Sequence, residues 1–186
     1  MQVSATPLEG LLVIETKLWR DARGAFVETY HQDRYRAAGI TATFVQDNFS
    51  WSQSNVLRGL HYQLRHPQGK LVMVVQGRVF DVAVDIRKGS PTFGQWHGVE
   101  LSAENGRQLY IPPGYAHGFF VLGERAGFMY RCTDYYHPSD ERGIRWNDPQ
   151  LAIAWPSGHP LVSQKDQDYK LLAEMQRELP EYQNSR

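Results

Sequence analysis

Two histidines of the 186-residue chain sit where proton chemistry is possible. His61 lies in VLRGLHYQ, and Arg58, Tyr62, Gln63 and Lys70 crowd the same short stretch. His117 closes the segment GRQLYIPPGYAHGF. A divalent metal would want a third imidazole or a carboxylate beside this pair. The position two after His61 is Gln63, and His66, Pro67, Gln68 and Gly69 follow with no Glu. Two imidazoles alone make a poor divalent site, which leaves both free for proton transfer near neutral pH. Taken singly, each histidine reads as a half-buried strand residue. Packing, however, has little use for so many polar side chains between two apolar runs.

The elements that must position these groups are mostly strands. Leu11 to Glu15, Phe26 to Tyr30, Thr43 to Phe49, Val56 to Gln63, Leu71 to Gln76 and Arg78 to Ile86 carry strand patterns. So do Trp96 to Leu101, Gln108 to Ile111, Gly118 to Leu122 and Phe128 to Thr133. They are rich in β-branched and aromatic residues and are punctuated by Gly, Pro, Asn and Ser. A sandwich, barrel or jelly roll is expected, not βαβ units. In Arg78 to Ile86, Phe80, Val82, Val84 and Ile86 share a core face. The other face puts Asp81 and Asp85 where a cavity or water must receive them. Asp33 to Ala38 predicts a short helix ended by Gly39. Asp168 to Leu179 predicts another, with Leu171, Leu172, Met175 and Leu179 at helical spacing before Pro180. Pro138 to Pro160 predicts a long ordered loop.

Lys and Arg number 20 and Asp and Glu number 20, so the formal net charge is zero. That excludes a grip on nucleic acid through bulk charge. One cysteine, Cys132, excludes an intrachain disulfide and a cysteine-only metal cluster. No stretch approaches the ~18 apolar residues of a membrane span, and the N-terminal residues lack a signal-peptide pattern. The expected location is cytoplasmic, and residues 1–186 are expected to form a single domain.

Several segments together carry a specific resemblance. They are DARGAFVETY, FVQDNFSWS, VLRGLHYQ, QGKLVMVVQGRVFDVAVDIRKGSPTFGQW, LSAENGRQLYIPPGYAHGFFVL, YRCTDYY, GIRWNDP and SQKD, in order over residues 21 to 166. The spacing from Gly106 through Pro112 and Gly114 to His117 is similar to the latter half of the cupin metal motif. The whole set resembles the dTDP-4-dehydrorhamnose 3,5-epimerase family. That resemblance implies an all-β, cupin-like jelly-roll β-barrel with short flanking helices, acting on a dTDP-sugar without a metal or other cofactor. No GxGxxG fingerprint points to a nicotinamide.

The implied reaction exchanges protons at C3 and C5, both acidified by the C4 ketone of a 4-keto-6-deoxyhexose. It needs a base and an acid on opposite faces and a group that stabilises the enolate. By resemblance, His61 is the base and Asp166 its carboxylate partner, although Asp166 also suits a helix N-cap, a role for which Asp168 competes. Tyr130 is the implied proton donor; a phenol ordinarily ionises at about pH 10, so a nearby cation would help it serve near neutrality. Lys70 is the implied cation at the C4 oxygen. Arg23, Arg58 and Lys165 match positions that meet the diphosphate or its neighbours. Glu28, Gln46, Asp47 and Asn48 match positions near the base and sugar. Tyr136, Glu141 and His117 match further pocket positions, and Asp81 could orient a histidine.

Arg58 and His61 stand three apart, which on a regular strand sends them to opposite faces. The implied roles want both in one cavity, so irregular geometry is expected at Gly59. The resemblance also implies a homodimer with exchanged N-terminal strands, carrying Arg23 and Glu28 into the neighbour's site. Rival readings are an epimerase that inverts only C3 or only C5, a non-catalytic sugar-binding jelly roll, and a metal cupin. The zero net charge thus conceals a local arrangement of Arg23, Arg58, Lys70 and Lys165 around one anionic ligand.

Overall fold

The computed structural model describes residues 1–183. In chain order it forms β1 (Gln2–Ala5), β2 (Leu12–Glu15), β3 (Leu18–Asp21), β4 (Gly24–Val27) and α1 (Gln32–Ala37). Then come β5 (Gln46–Gln53), β6 (Leu57–Gln63), β7 (Lys70–Gln76), β8 (Arg78–Asp85) and β9 (Trp96–Ser102). β10 (Arg107–Ile111), β11 (Tyr115–Val121), β12 (Arg125–Cys132), β13 (Glu141–Gly143) and α2 (Gln164–Gln167) complete it. A six-stranded sheet runs β1-β2-β10-β7-β12-β5, and a five-stranded sheet runs β13-β6-β11-β8-β9. All of their pairings are antiparallel. β3 and β4 pair only with each other.

The two sheets face one another as a jelly roll. Val72, Val74, Leu109 and Phe128 of the first meet Val79, Ala83, Phe119 and Val121 of the second in one buried cluster. Burial of each such side chain contributes about 1.5–3 kcal/mol, which sets the register: a one-residue slip would turn a whole strand's apolar set outward. The outer face of the second sheet is covered too. Leu60, Val82, Val84 and Ala116 pack under Ile144, Leu151, Leu172, Met175 and Leu179. Both faces of β8 are therefore buried, and neither of its carboxylates meets water. Asp81 is received by His117 and Asp85 by Arg87, Ser90 and Thr92.

The strand pattern holds with shifted ends. The expected Thr43 to Phe49 strand starts at Gln46, and Phe26 to Tyr30 ends at Val27. β1, β3 and β13 were not anticipated: all three are short, and β1 and β3 are largely exposed. The helix before Gly39 forms as expected. The expected helix over Asp168 to Leu179 does not form; only Leu172–Glu174 makes a 3-10 turn. Its apolar residues are buried as the pattern implied, but its backbone bonds elsewhere. The Leu172 N–H donates to the buried Asp148 carboxylate at 2.6 Å, and the Lys170 carbonyl accepts from the Arg145 N–H at 2.9 Å. The Glu178 carbonyl accepts from the Tyr62 hydroxyl at 2.8 Å. A helix this short is marginal by itself, so these tertiary bonds and the apolar sheet face beneath decide its path.

Candidate active site

A cavity of about 380 Å³ opens between the sheets where the shared core stops. Phe119 and Phe128, stacked with ring centroids 4.2 Å apart, form its floor. The five-stranded sheet supplies Arg58, His61, Gln63 and His117 to one wall. The six-stranded sheet supplies Gln46, Asn48, Ser50, Lys70 and Tyr130 to the other. Tyr136 and Glu141 stand at the side, and an adjoining recess is lined by Arg58, His61, Lys165 and Asp166.

Gly59 is what brings Arg58 and His61 to one cavity. His61 pairs with His117 across β6 and β11, but Arg58 pairs with Phe119, so the register shifts between them. Gly59 has φ +118, and a Cβ there would run into the Gly118 backbone. Only glycine fits that backbone at that approach, and the expected irregularity is present.

His61 Nε2 lies 2.7 Å from Asp166 Oδ1. Asp166 is only 3% exposed. Burial pushes its carboxyl up, but the hydrogen bond and charge of His61, with the Gly59 and Ser163 donors, outweigh burial and hold it below 3.8. It is an anion that fixes the imidazole's orientation and stabilises its protonated form. The cap of α2 is Ser163, whose hydroxyl accepts the Asp166 N–H, while Asp168 closes the helix at its other end. The Asp166 side chain is thereby left to His61, and neither aspartate is the N-cap.

His117, 7% exposed, is held by Asp81 at 3.0 Å. Burial, helped by the charges of Lys70 and His61, outweighs Asp81 and keeps its pKa low. Lys70 is also lowered, by burial, against the pull of Cys132, Glu141 and Asp81. Its ammonium lies 5.9 Å from the centre of the Tyr130 ring. The help that a nearby cation would give Tyr130 is outweighed by its surroundings. Burial, Cys132 and Glu141 push its phenol up, and Arg58 opposes only in part. The phenol therefore holds its proton at rest, which suits a donor.

Glu141 accepts from the Tyr136 hydroxyl at 2.5 Å and pairs with Lys165. Burial raises its carboxyl, but these two bonds outweigh burial, and Tyr136 is pushed up to about 12 by the same contact.

Three expected residues lie outside the cavity. Asp47 alternates away from Gln46 and Asn48 and pairs with Arg131 at 3.4 Å. Arg23, 90% exposed, pairs with Asp21 at the β3–β4 turn. Glu28 pairs with Arg34 of α1. Conversely, Ser50, Gln68, Phe119 and Phe128 line the cavity without having been singled out. The period-two pattern of β5 could have found Ser50 and dismissed Asp47. Tyr169, whose ring stands edge-on to His61 at 5.8 Å, carried no sequence signal. It packs over Gly143, where a Cβ would collide with the ring.

An imidazole–carboxylate pair facing a wall that carries a protonated phenol and a lysine defines an acid–base enzyme on a cupin-like jelly roll. The family model for dTDP-4-dehydrorhamnose 3,5-epimerase matches residues 5–174, and the chain belongs to that family of carbohydrate epimerases. A Pseudomonas aeruginosa dTDP-4-dehydrorhamnose 3,5-epimerase is 52% identical over 176 residues, 94% of this chain and 97% of that protein. A Streptomyces niveus dTDP-4-dehydrorhamnose 3-epimerase is 42% identical over 176 residues, 94% of this chain and 85% of its own. A Legionella pneumophila dTDP-6-deoxy-D-glucose-3,5-epimerase, solved with dTDP-4-keto-L-rhamnose, superposes with TM-score 0.95. It shares 56% identity, with 98% of each chain covered.

Proposed function

We propose that this chain converts dTDP-4-dehydro-6-deoxy-D-glucose to dTDP-4-dehydro-L-rhamnose by inverting C3 and C5, a step of dTDP-L-rhamnose formation. The observation that carries the reading is the base and the acid on facing walls of one cavity. It is supported by the ligand in the Legionella relative, whose sugar is of this class. His61, steadied by Asp166, removes the proton from the carbon beside the C4 ketone. Lys70 stabilises the oxyanion that develops at C4, and Tyr130 returns a proton to the opposite face. Arg58 and Lys165 meet the diphosphate, for which arginine's planar fork is suited. Gln46, Asn48, Tyr136, Glu141 and His117 hold the sugar and base. The chain works as one epimerase domain over residues 1–186, in the cytoplasm; among the described residues no helix is long and apolar enough to cross a membrane.

The enzyme acts as a homodimer. The β3–β4 hairpin stands off both sheets, with Trp19 and Phe26 exposed, and Phe49, Trp51 and Val75 form an apolar outer face on the six-stranded sheet. Exchange of the N-terminal strands would carry Arg23 and Glu28 to a partner's cavity. The test of the reaction is deuterium incorporation from solvent, with product identified by NMR. Label at both C3 and C5 is the expected result. Label at one carbon would make the protein a single-centre epimerase, like the Streptomyces relative by name. No label would leave a sugar-binding module.

A further inference from the structure

The loops at the cavity rim carry a second set of ligating side chains that the proton path does not use. His66, Asp134 and His137 each bring one ligand atom within 4.8 Å of the other two. The two imidazoles stack with centroids 4.0 Å apart and planes 24° apart. His66 Nδ1 stands 3.8 Å from the Asp134 carboxylate, too far for a hydrogen bond.

Their backbones are held by buried groups. The Gln63 side chain, 5% exposed, donates to the His66 carbonyl at 2.7 Å and accepts from the His137 N–H at 2.7 Å. The buried Asp140 carboxylate accepts the His66 N–H at 2.8 Å, and Gln68 donates to the Asp134 carbonyl at 2.8 Å. The ligands are therefore pre-placed, and only side-chain torsions need adjust. Around a tetrahedral ion with bonds of about 2.0–2.1 Å, ligand atoms stand roughly 3.4 Å apart. His66 is exposed and its two companions are half-buried, so small rotations can close that gap.

We propose that His66, Asp134 and His137 bind one divalent transition-metal ion of the zinc class. Two imidazoles and one carboxylate suit zinc, cobalt or nickel; magnesium and calcium prefer all-oxygen sets. The ion would clamp residues 64–69 to residues 134–140. Gln68 and Tyr136, from those two segments, line the cavity, so the ion braces its rim without touching the reacting atoms.

The test is titration of zinc chloride into untagged, chelator-stripped, full-length protein, followed by calorimetry and by thermal unfolding. One site is expected, with Tm raised by about 5–10 °C at a hundredfold excess over Kd, and no response to magnesium. His66→Ala and Asp134→Asn, measured separately, are each expected to weaken zinc binding at least tenfold. Both should keep wild-type Tm and turnover in the presence of chelator. His159→Ala, at a histidine outside this cluster, is expected to bind as wild type. Absence of zinc binding by the wild-type protein overturns the proposal. So does undiminished binding by either folded variant.

Discussion

Asp166→Asn separates the charge of the His61 partner from its shape. The carboxylate lies 2.7 Å from His61 Nε2 through one oxygen and 3.3 Å from the Gly59 N–H through the other. Two opposite charges about 4 Å apart at an effective dielectric near 20 attract by roughly 4 kcal/mol. The amide oxygen can still accept one hydrogen bond and recovers about 1 kcal/mol of this. The protonated imidazole formed during proton abstraction should thus lose about 2–3 kcal/mol of stabilisation, lowering kcat about 30- to 150-fold. Asparagine has one acceptor where two donors converge, so either Gly59 or His61 then faces an amide NH2. An unsatisfied buried donor costs about 1–3 kcal/mol, which in a chain of this length lowers Tm by about 2–10 °C. The assay is turnover of dTDP-4-dehydro-6-deoxy-D-glucose at saturation, with circular dichroism and thermal unfolding on the same sample. A variant with wild-type dichroism that keeps turnover within threefold of wild type would refute the assignment of Asp166 as the partner of the base.

Lys70→Ala is expected to lower kcat by about a hundredfold or more with the fold intact, because one donor to a developing oxyanion is worth about 3 kcal/mol; near-normal turnover removes Lys70 from the mechanism. Tyr130→Phe should abolish net inversion while His61 still exchanges solvent deuterium on its own face, and inverted product at wild-type rate would count against Tyr130 as the donor. On acidification, Asp85 gives the clearest stability signature. Burial pushes its carboxyl up, but Arg87, Ser90 and Thr92 outweigh burial and hold it below 3.8. A lowered folded-state pKa contributes stability that is present above the unfolded value and lost as pH falls through the folded one. Tm should therefore drop as pH falls below about 4, and Asp85→Asn should lower Tm at pH 7 and flatten the acid slope; parallel slopes would contradict this.

The residue pattern by itself determined the ten principal strands to within a few residues, because alternation of apolar side chains survives any arrangement of the strands that has an inside; the short β1, β3 and β13 bury too little to show in it. It also revealed the polar crowd around His61 and the need for an irregular backbone at Gly59, since residues three positions apart, such as Arg58 and His61, cannot face one way on a regular strand. The family match rested on ordered segments that needed no coordinates. Only the tertiary structure decided the rest. His61 and Tyr130 lie on different sheets, so their opposition across a cavity depends on how the sheets stack and not on any spacing along the chain. The direction of the Tyr130 shift was set by burial, which linear sequence does not report. Asp47 was drawn away from the cavity by strand alternation and taken up by Arg131. The C-terminal segment kept its apolar spacing but gave up its helix, because Asp148, Arg145 and Tyr62 claim its backbone from outside the segment. Periodicity reports which side chains seek burial; the partners that satisfy the backbone come from elsewhere in the chain.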